Sequence, residues 1–266
     1  IDWVWTVFIY IMEILVSKKH INNPFVIIKA RRCGSNSLDK FLNDNIGREN
    51  YVNLSGDNSF INYSVLDIIE DDILSGYKLT FCRNPFTRVI AGYLADIYHI
   101  TPSLGVNVSD TNHPNQPPKT IVSSSSLDMK QYKLTDNKDL HIEAFTKFLD
   151  TTIEFMETGQ SKYEWQWSFK LVFDPLFSTV LNNESSNIDF FDDVIKQEEL
   201  SEKWEDVSNK LIGRYEPIVK LNSFNERHEG TGGSTDDFLY LLDYNSNRYK
   251  IAKHWANDFL LFGYEI

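Results

Sequence analysis

The sequence predicts an α/β fold with a largely parallel central sheet flanked by helices. Two observations indicate this fold. Predicted strands alternate with predicted helices, and short polar loops directly follow two of the strands, at residues 31–37 and 83–88. Parallel strands need long crossover connections, usually helices, so this alternation is typical of α/β proteins. The chain has 266 residues, 42% of them hydrophobic, which is enough for a sizeable core. We interpret residues 1–266 as a single domain.

The first twenty residues are apolar apart from one narrow polar stripe. The polar positions recur every three or four residues: Asp2, Thr6, Tyr10, Glu13 and Ser17. This spacing predicts a helix over residues 1–20 that packs on the domain. The alternative is an interfacial helix or signal anchor through residues 3–16, and with it membrane association. Glu13 and the short apolar length weaken that alternative.

Three strands and three helices are predicted in the first half of the chain. The strands lie at residues 25–28, 49–55 and 77–82, and the helices at residues 37–45, 64–74 and 85–99. The apolar runs at 25–28 and 77–82 are typical of buried strands. The third helix carries Pro85 in its first turn, where the missing N–H group costs nothing.

The second half begins with a segment of different composition. Residues 101–137 hold four of the eight prolines and a run of four serines, which predicts a long insertion. This insertion is either a surface excursion or a lid. Further elements are then predicted: a helix over 139–157, a strand within 190–200, a helix over 201–213, a flexible loop at 226–235 and a final helix over 235–264 that breaks near 244–247.

Charge and cysteine content exclude several classes of protein. The net charge of −12 disfavours DNA, RNA and other long polyanions as partners, because they need a broad basic surface. Any anion site must therefore be a local pocket. Cys33 and Cys82 are the only cysteines, too few for a disulfide scaffold or a zinc knuckle, and no metal site is predicted.

The first candidate anion site is the loop at residues 31–37, between a strand and a helix. Backbone N–H groups at a helix N-terminus attract anions, and the helix dipole adds to the attraction. Gly34 permits close approach, and Arg32 supplies a permanent charge with a planar fork. The predicted binding set is Arg31, Arg32, Cys33, Gly34, Ser35, Asn36 and Ser37. The alternative is an ordinary helix cap.

The second candidate anion site is the loop that begins with Arg83. This residue follows a strand, and open α/β sheets bind ligands at the carboxyl ends of their strands. Arg88 lies one turn into the next helix, although it could instead pair with an acidic neighbour. One ligand with two separated anionic groups would explain both loops, as a nucleotide with a 5′ group and a 3′ phosphate would.

These loops resemble those of the sulfotransferases that use 3′-phosphoadenosine 5′-phosphosulfate (PAPS). "RRCGSNSL" resembles their 5′-phosphosulfate loop, Pro-Lys-x-Gly-Ser-Thr-Ser-Leu, and "FCRNPFTRVIAGYL" resembles their 3′-phosphate motif, Arg-x-Pro-x-x-Arg-x-x-Ser-x-Tyr. "FTKFLD", "YEWQWSF" and "FDDVIKQEEL" are similar to later stretches of the carbohydrate, Golgi-type members, and "HWANDFLLFGY" to their C-terminal signature. The resemblance covers about residues 25–266.

The resemblance implies a P-loop-like three-layer fold, PAPS as donor without a metal, and sulfuryl transfer to a hydroxyl of a carbohydrate or small molecule. The location stays open: cytoplasmic, or Golgi and membrane-anchored if residues 3–16 belong to an anchor. Two positions depart from the motifs: Arg32 stands where lysine is usual, and Ala91 where serine is usual. Ala91 removes an expected hydrogen bond to the 3′ phosphate. Thr87, Arg227 or His228 could replace it.

Transfer to a hydroxyl also calls for a general base near the sulfur. The favoured candidate is Asp57, because it follows a predicted strand; the alternative is that it only forms a turn. Glu49 is less favoured, and His99 and Glu164 are reserves. Two rival functions remain open at this point. A P-loop kinase would need a Lys-Ser/Thr ending that the first loop lacks, whereas a non-catalytic nucleotide-binding relative would not.

Overall fold

The computed structural model describes residues 12–19, 21–30, 33, 35–54, 69–100, 138–158, 188–219 and 235–266. Contacts within the chain divide it into two compact units. The first unit comprises Ile1–Pro85, Asp174–Ser223 and Trp255–Ile266, and the second comprises Phe86–Phe173 and Phe224–His254. The strands all belong to the first unit within these described ranges.

A mixed five-stranded sheet forms the centre of the first unit, within the described part of the chain. Its strands are β1 (Met12–Ser17), β2 (Phe25–Ala30), β3 (Tyr51–Asn53), β4 (Tyr77–Cys82) and β5 (Asp193–Lys196), in the order β3-β1-β2-β4-β5. Strands β2, β4 and β5 are parallel, whereas β1 is antiparallel to β2 and β3. The α/β class is confirmed, but the prediction of a largely parallel sheet was wrong. Residues 18–24 are too few for a parallel crossover, which needs about a dozen residues.

The prediction of a helix near the N-terminus was wrong for residues 12–17, which form β1. Ile14, Leu15, Val16 and Ser17 are all buried, so both faces of this strand are covered. A strand covered on both faces has no alternation of apolar and polar residues, and a short apolar run of that kind cannot be told from a helix by periodicity. Residues 1–11 lie outside the described residues.

Seven α-helices lie within the described ranges. They are α1 (Ser35–Asn45), α2 (Asp71–Leu74), α3 (Pro85–Ile100), α4 (Lys138–Thr158), α5 (Leu200–Ile212), α6 (Asn247–His254) and α7 (Ala256–Phe262). Short 3-10 helices occur at Arg48–Asn50, Ile188–Phe190, Gln197–Glu199 and Thr235–Asp243. The predicted helices at 37–45, 85–99, 139–157 and 201–213 are confirmed, as is the break near residues 244–247. The helix predicted over 64–74 is confirmed only at its end: Glu70 precedes α2 with a ψ of 140°, and residues 55–68 lie outside the described residues.

Two apolar clusters cover the two faces of the sheet. On β2, Phe25 and Ile27 contribute to one cluster, and Val26 and Ile28 to the other. Helices α1 and α5 contribute to the first cluster, in which Phe41 meets Trp204 edge to face at 4.7 Å between ring centroids. Ile73 of α2 belongs to the second cluster. Strand β2 is therefore anchored on both of its faces, and β4 contributes Leu79, Phe81 and Cys82 to the first cluster.

The second unit is built around aromatic packing between α3 and α4. The ring of Tyr93 on α3 meets Phe145 and Phe148 on α4 at centroid distances of 5.2 and 5.4 Å. On α6, the buried Asn247 side chain donates to the Leu241 carbonyl and to the Thr146 hydroxyl at 2.9 and 3.2 Å. These contacts hold α3, α4 and α6 together.

Gly76, directly before β4, provides a test of the close backbone approach between the segments that precede β2 and β4. A Cβ atom at this position would lie 2.2 Å from the Pro24 carbonyl oxygen, which also accepts the Tyr77 N–H. Because backbone atoms block the new methyl group, we expect Gly76→Ala to lower the free energy of unfolding by about 3 kcal/mol, the upper end of overpacking costs. Chemical denaturation measures the change.

Gly213→Ala is the matched control for that experiment. Gly213 has a φ of 74°, but its added Cβ would approach only the Asn23 side chain, at 3.4 Å. We expect it to cost about 1 kcal/mol, from the left-handed backbone conformation. A Gly76→Ala loss no larger than that of Gly213→Ala would contradict the described approach of Gly76 to Pro24.

Candidate anion-binding site

The pairing of β2 with β4 brings the two candidate loops to one edge of the sheet. The strands are parallel neighbours, with Ile28 opposite Thr80. Cys33 follows the end of β2 and Arg83 follows the end of β4, so both lie beyond the carboxyl ends of adjacent strands. Ligands of open α/β sheets bind at such edges. The structure thus contains the strand arrangement that two neighbouring anion loops need.

The first loop leads into α1, which begins at Ser35, two residues earlier than predicted. No acidic residue lies in the first turn of this helix, so nothing there opposes the positive end of the helix dipole. Cys33 and Ser37 are buried. Ser35 and Asn36 lie in the first turn, whereas Arg31, Arg32 and Gly34 lie outside the described residues.

A partly buried ion pair joins the end of β2 to α1. Lys29 is only 3% exposed, and its Nζ atom lies 2.5 and 2.6 Å from the two carboxylate oxygens of Asp39. Lys29 follows Phe25 and Ile27 on the face of β2 that α1 covers. Lys29, the lysine that precedes the first loop, is therefore engaged in holding strand to helix. Removing Asp39 would be costly, because the Lys29 charge would stay buried without its partner.

The second loop places its two arginines differently. Arg83 is half-buried directly after β4 and belongs to the first unit. Arg88 lies in the second turn of α3, belongs to the second unit and is only 1% exposed. Both residues interact with other parts of the protein. The first turn of α3, like that of α1, carries no acidic residue.

Most of the remaining predicted site residues lie in parts of the chain that the structure does not describe. Asp57, Glu164, Arg227 and His228 lie outside the described residues. His99 lies on α3, where only the backbone is described. Glu49, the less favoured base candidate, is exposed in the 3-10 helix Arg48–Asn50. The general base and the proposed replacements for the Ala91 contact stay predictions.

Sequence patterns did not predict the hydrogen-bonded cluster that lies beside Arg83, at the ends of β4 and β5. The Tyr264 hydroxyl donates to Oε2 of Glu198 at 2.9 Å, and the Asn84 N–H donates to Oε1 of the same carboxylate at 3.0 Å. The Cys82 thiol lies 3.6 Å from the Tyr264 hydroxyl oxygen. Lys196 lies 4.8 Å above the Tyr264 ring and donates to the Gly263 carbonyl at 3.2 Å.

The surroundings of this cluster raise the pKa values of the Cys82 thiol and the Tyr264 hydroxyl. Burial raises the pKa of Cys82 from 9.0 to about 12, and the contact with the Tyr264 hydroxyl only partly opposes the shift. Burial and the neighbouring Cys82 and Glu198 likewise raise the pKa of Tyr264. A raised pKa means that the neutral thiol favours folding below about pH 9, and that this contribution is lost as the pH rises toward 12.

An open groove on the second unit has the wrong charge for the donor. It lies along α4, with Thr146, Lys147 and Tyr244 among its lining residues, and has a volume of about 650 Å³. Four carboxylates line it: Asp139, Glu143, Asp150 and Glu154. Because like charges repel, this groove disfavours a ligand that carries two anionic groups.

The described residues were also compared with the requirements of a membrane span and of a metal site. Among them, no helix is long and apolar enough to cross a membrane. Nor do these residues include a group of three or more side chains suited to hold a metal ion.

A comparison with family models, curated proteins and solved structures found no match. The likeness to the sulfotransferases is therefore carried by the sequence motifs alone.

The two cysteines provide a test of whether the ends of β2 and β4 are buried as the structure describes. Both are free, buried and part of one apolar cluster. The thiolate is the form that reacts, and at pH 8 a pKa of about 12 leaves Cys82 roughly one part in ten thousand ionised. We expect slow alkylation of the native protein and two labels per chain after unfolding, without reductant, by mass spectrometry. Full labelling only after reduction would show a disulfide instead.

Proposed function

We propose that this protein is a PAPS-dependent sulfotransferase, which transfers a sulfuryl group from PAPS to a hydroxyl of a carbohydrate or small-molecule acceptor. The observation that carries the proposal is the pairing of β2 with β4. It supports a reading of the two motif-bearing loops as halves of one donor site, since each loop continues one of two parallel neighbours. A P-loop-like architecture is the finer part of the same proposal.

The first loop and the N-terminus of α1 receive the 5′-phosphosulfate. Arg32 and backbone N–H groups stabilise the negative charge that develops on the leaving phosphate. The bond between sulfur and the phosphate oxygen breaks, and the acceptor oxygen forms the new bond to sulfur. The acceptor proton passes to a general base, for which Asp57 is our candidate. The sulfuryl group carries less charge than a phosphoryl group, so arginine and N–H donors suffice without a metal.

The second loop holds the 3′ phosphate in this proposal. Arg83 contributes a planar, permanently charged fork at the end of β4, a geometry suited to phosphate oxygens. Arg88 adds a second positive charge, one turn into α3. Ala91 offers no hydrogen bond, so Thr87, Arg227 or His228 supplies the missing donor.

The acceptor is a neutral sugar or a small hydroxyl compound rather than a long sulfated polysaccharide. The net charge of −12 supports this choice, because a polyanionic acceptor would be repelled by the protein as a whole. Charge thus restricts the acceptor more than it restricts the donor, which needs only a local cationic pocket.

Incubation with sulfur-labelled PAPS and a panel of neutral sugars and small alcohols tests the proposed activity. We expect label to appear in at least one acceptor, together with an equal amount of 3′-phosphoadenosine 5′-phosphate (PAP). Arg83→Ala serves as the matched negative variant. Tight binding of PAP without transfer to any acceptor would favour a non-catalytic relative, and transfer from ATP with Mg²⁺ would favour the kinase alternative.

A further inference from the structure

The turn between β4 and α3 is fixed by a carboxylate from another part of the chain. Glu198, in the 3-10 helix Gln197–Glu199 after β5, accepts the Asn84 N–H on one oxygen and the Tyr264 hydroxyl on the other, at 3.0 and 2.9 Å. Asn84 directly follows Arg83. One side chain therefore joins the C-terminal segment to the backbone of the Arg83 loop.

The Tyr264 side chain, which donates to Glu198, is itself held in place. Tyr264 donates its only proton to Glu198, so its oxygen is left to accept the Cys82 thiol at 3.6 Å. Lys196 covers the Tyr264 ring and bonds to the preceding Gly263 carbonyl. The hydroxyl that meets Glu198 is thus fixed from the ends of both β4 and β5.

The hydrogen bonds of Glu198 restrict the backbone next to Arg83. Hydrogen bonds with an ionised acceptor are stronger than neutral ones, and both oxygens of Glu198 are occupied. A fixed Asn84 N–H limits the backbone rotations by which the Arg83 Cα–Cβ bond could swing away. Because Glu198 itself is exposed, it contributes little to the apolar core.

We infer that Glu198, held by Tyr264, is a positioning residue that sets the Arg83 loop for binding the 3′-phosphate group of the donor. This inference rests on the proposed function for its ligand but not for its structural part. It assigns a role to the C-terminal motif: Tyr264 orients the carboxylate that orients the loop. A solely structural Glu198 would instead affect stability without affecting Arg83.

The test combines Glu198→Ala with Arg83→Ala, and uses PAP as the ligand in calorimetric titrations. We expect Glu198→Ala to weaken PAP binding about fivefold to tenfold, and Arg83→Ala to weaken it more. If Glu198 acts through Arg83, the double variant binds no more weakly than Arg83→Ala alone. Tyr264→Phe, which keeps the ring over Lys196, should give a smaller loss in the same direction.

Glu199→Ala is the matched control, because Glu199 lies on the same short helix and its carboxylate lies 3.9 Å from Nζ of Lys196 rather than on the Arg83 loop. It should leave PAP affinity unchanged. Hydrogen exchange of the Asn84 amide, followed by NMR without any ligand, should speed up about tenfold in Glu198→Ala and not in Glu199→Ala. Melting temperatures show that each variant is folded.

The outcomes separate the two proposals. If the wild type binds PAP and Glu198→Ala binds it equally well, or if the losses in the double variant simply add, the positioning role is overturned while the proposed function stands. If the wild type does not bind PAP, the proposed function fails and the positioning role fails with it. Unchanged Asn84 exchange in Glu198→Ala overturns the structural part independently of any ligand.

Discussion

Replacing Arg32 with alanine is expected to lower turnover by about a hundredfold, a loss of about 3 kcal/mol of transition-state stabilisation, if it behaves like a removed oxyanion donor. In the proposed reaction, negative charge grows on the leaving phosphate as the sulfur moves away, and Arg32 lies in the loop that receives this group. Affinity for PAP should fall much less. Steady-state kinetics with a saturating acceptor measure the change.

Arg32→Lys is the control for that experiment. Lysine is the usual residue at this position in the family that the loop resembles, and it keeps the positive charge while losing the fork. We therefore expect Arg32→Lys to retain most of the turnover. Normal turnover in Arg32→Ala would mean that residues 31–37 do not bind the transferring group.

A comparable loss is expected at the proposed base. Asp57→Asn should lower turnover by roughly a hundredfold or more and leave donor affinity nearly unchanged, because general-base catalysis contributes about that much. Asparagine keeps the size of the side chain and its capacity for hydrogen bonds in a turn, but it cannot accept the proton of the acceptor hydroxyl. Turnover and melting temperature are measured on the same sample.

The two measurements distinguish a catalytic Asp57 from one that only forms a turn. A turn residue would lower the melting temperature and leave turnover per folded molecule intact. Full activity in Asp57→Asn would transfer the base role to another residue, and His99→Gln and then Glu164→Gln would be tested in the same way. His99 lies on α3, the helix that carries Arg88.

Local patterns in the sequence predicted most of the regular elements. The strand at residues 77–82 and the helix that begins at Pro85 lie where apolar runs and a first-turn proline indicated. The arrangement of the sheet was harder to predict, because strand direction depends on the connection before a strand rather than on its own residues. The short segment between β1 and β2 makes that pair antiparallel.

The site was predictable only where one stretch of chain carries the signal. The strand-to-helix loops could be recognised because glycine, serine and arginine follow an apolar run within a few residues. The contact of Glu198 with Asn84 and Tyr264 joins segments more than sixty residues apart. No local sequence pattern predicts such a contact, although Tyr264 ends the stretch "HWANDFLLFGY", which resembles a family motif.

We propose that the loops after β2 and β4 together bind a nucleotide with a 5′ anionic group and a 3′ phosphate. A calorimetric titration with PAP tests it most directly, compared with AMP, which lacks the 3′ phosphate, and with ATP and Mg²⁺. We expect PAP to bind at one site and to raise the melting temperature, and the other two nucleotides to bind far more weakly. Equal binding of PAP and AMP, or tighter binding of ATP with Mg²⁺, would contradict the claim.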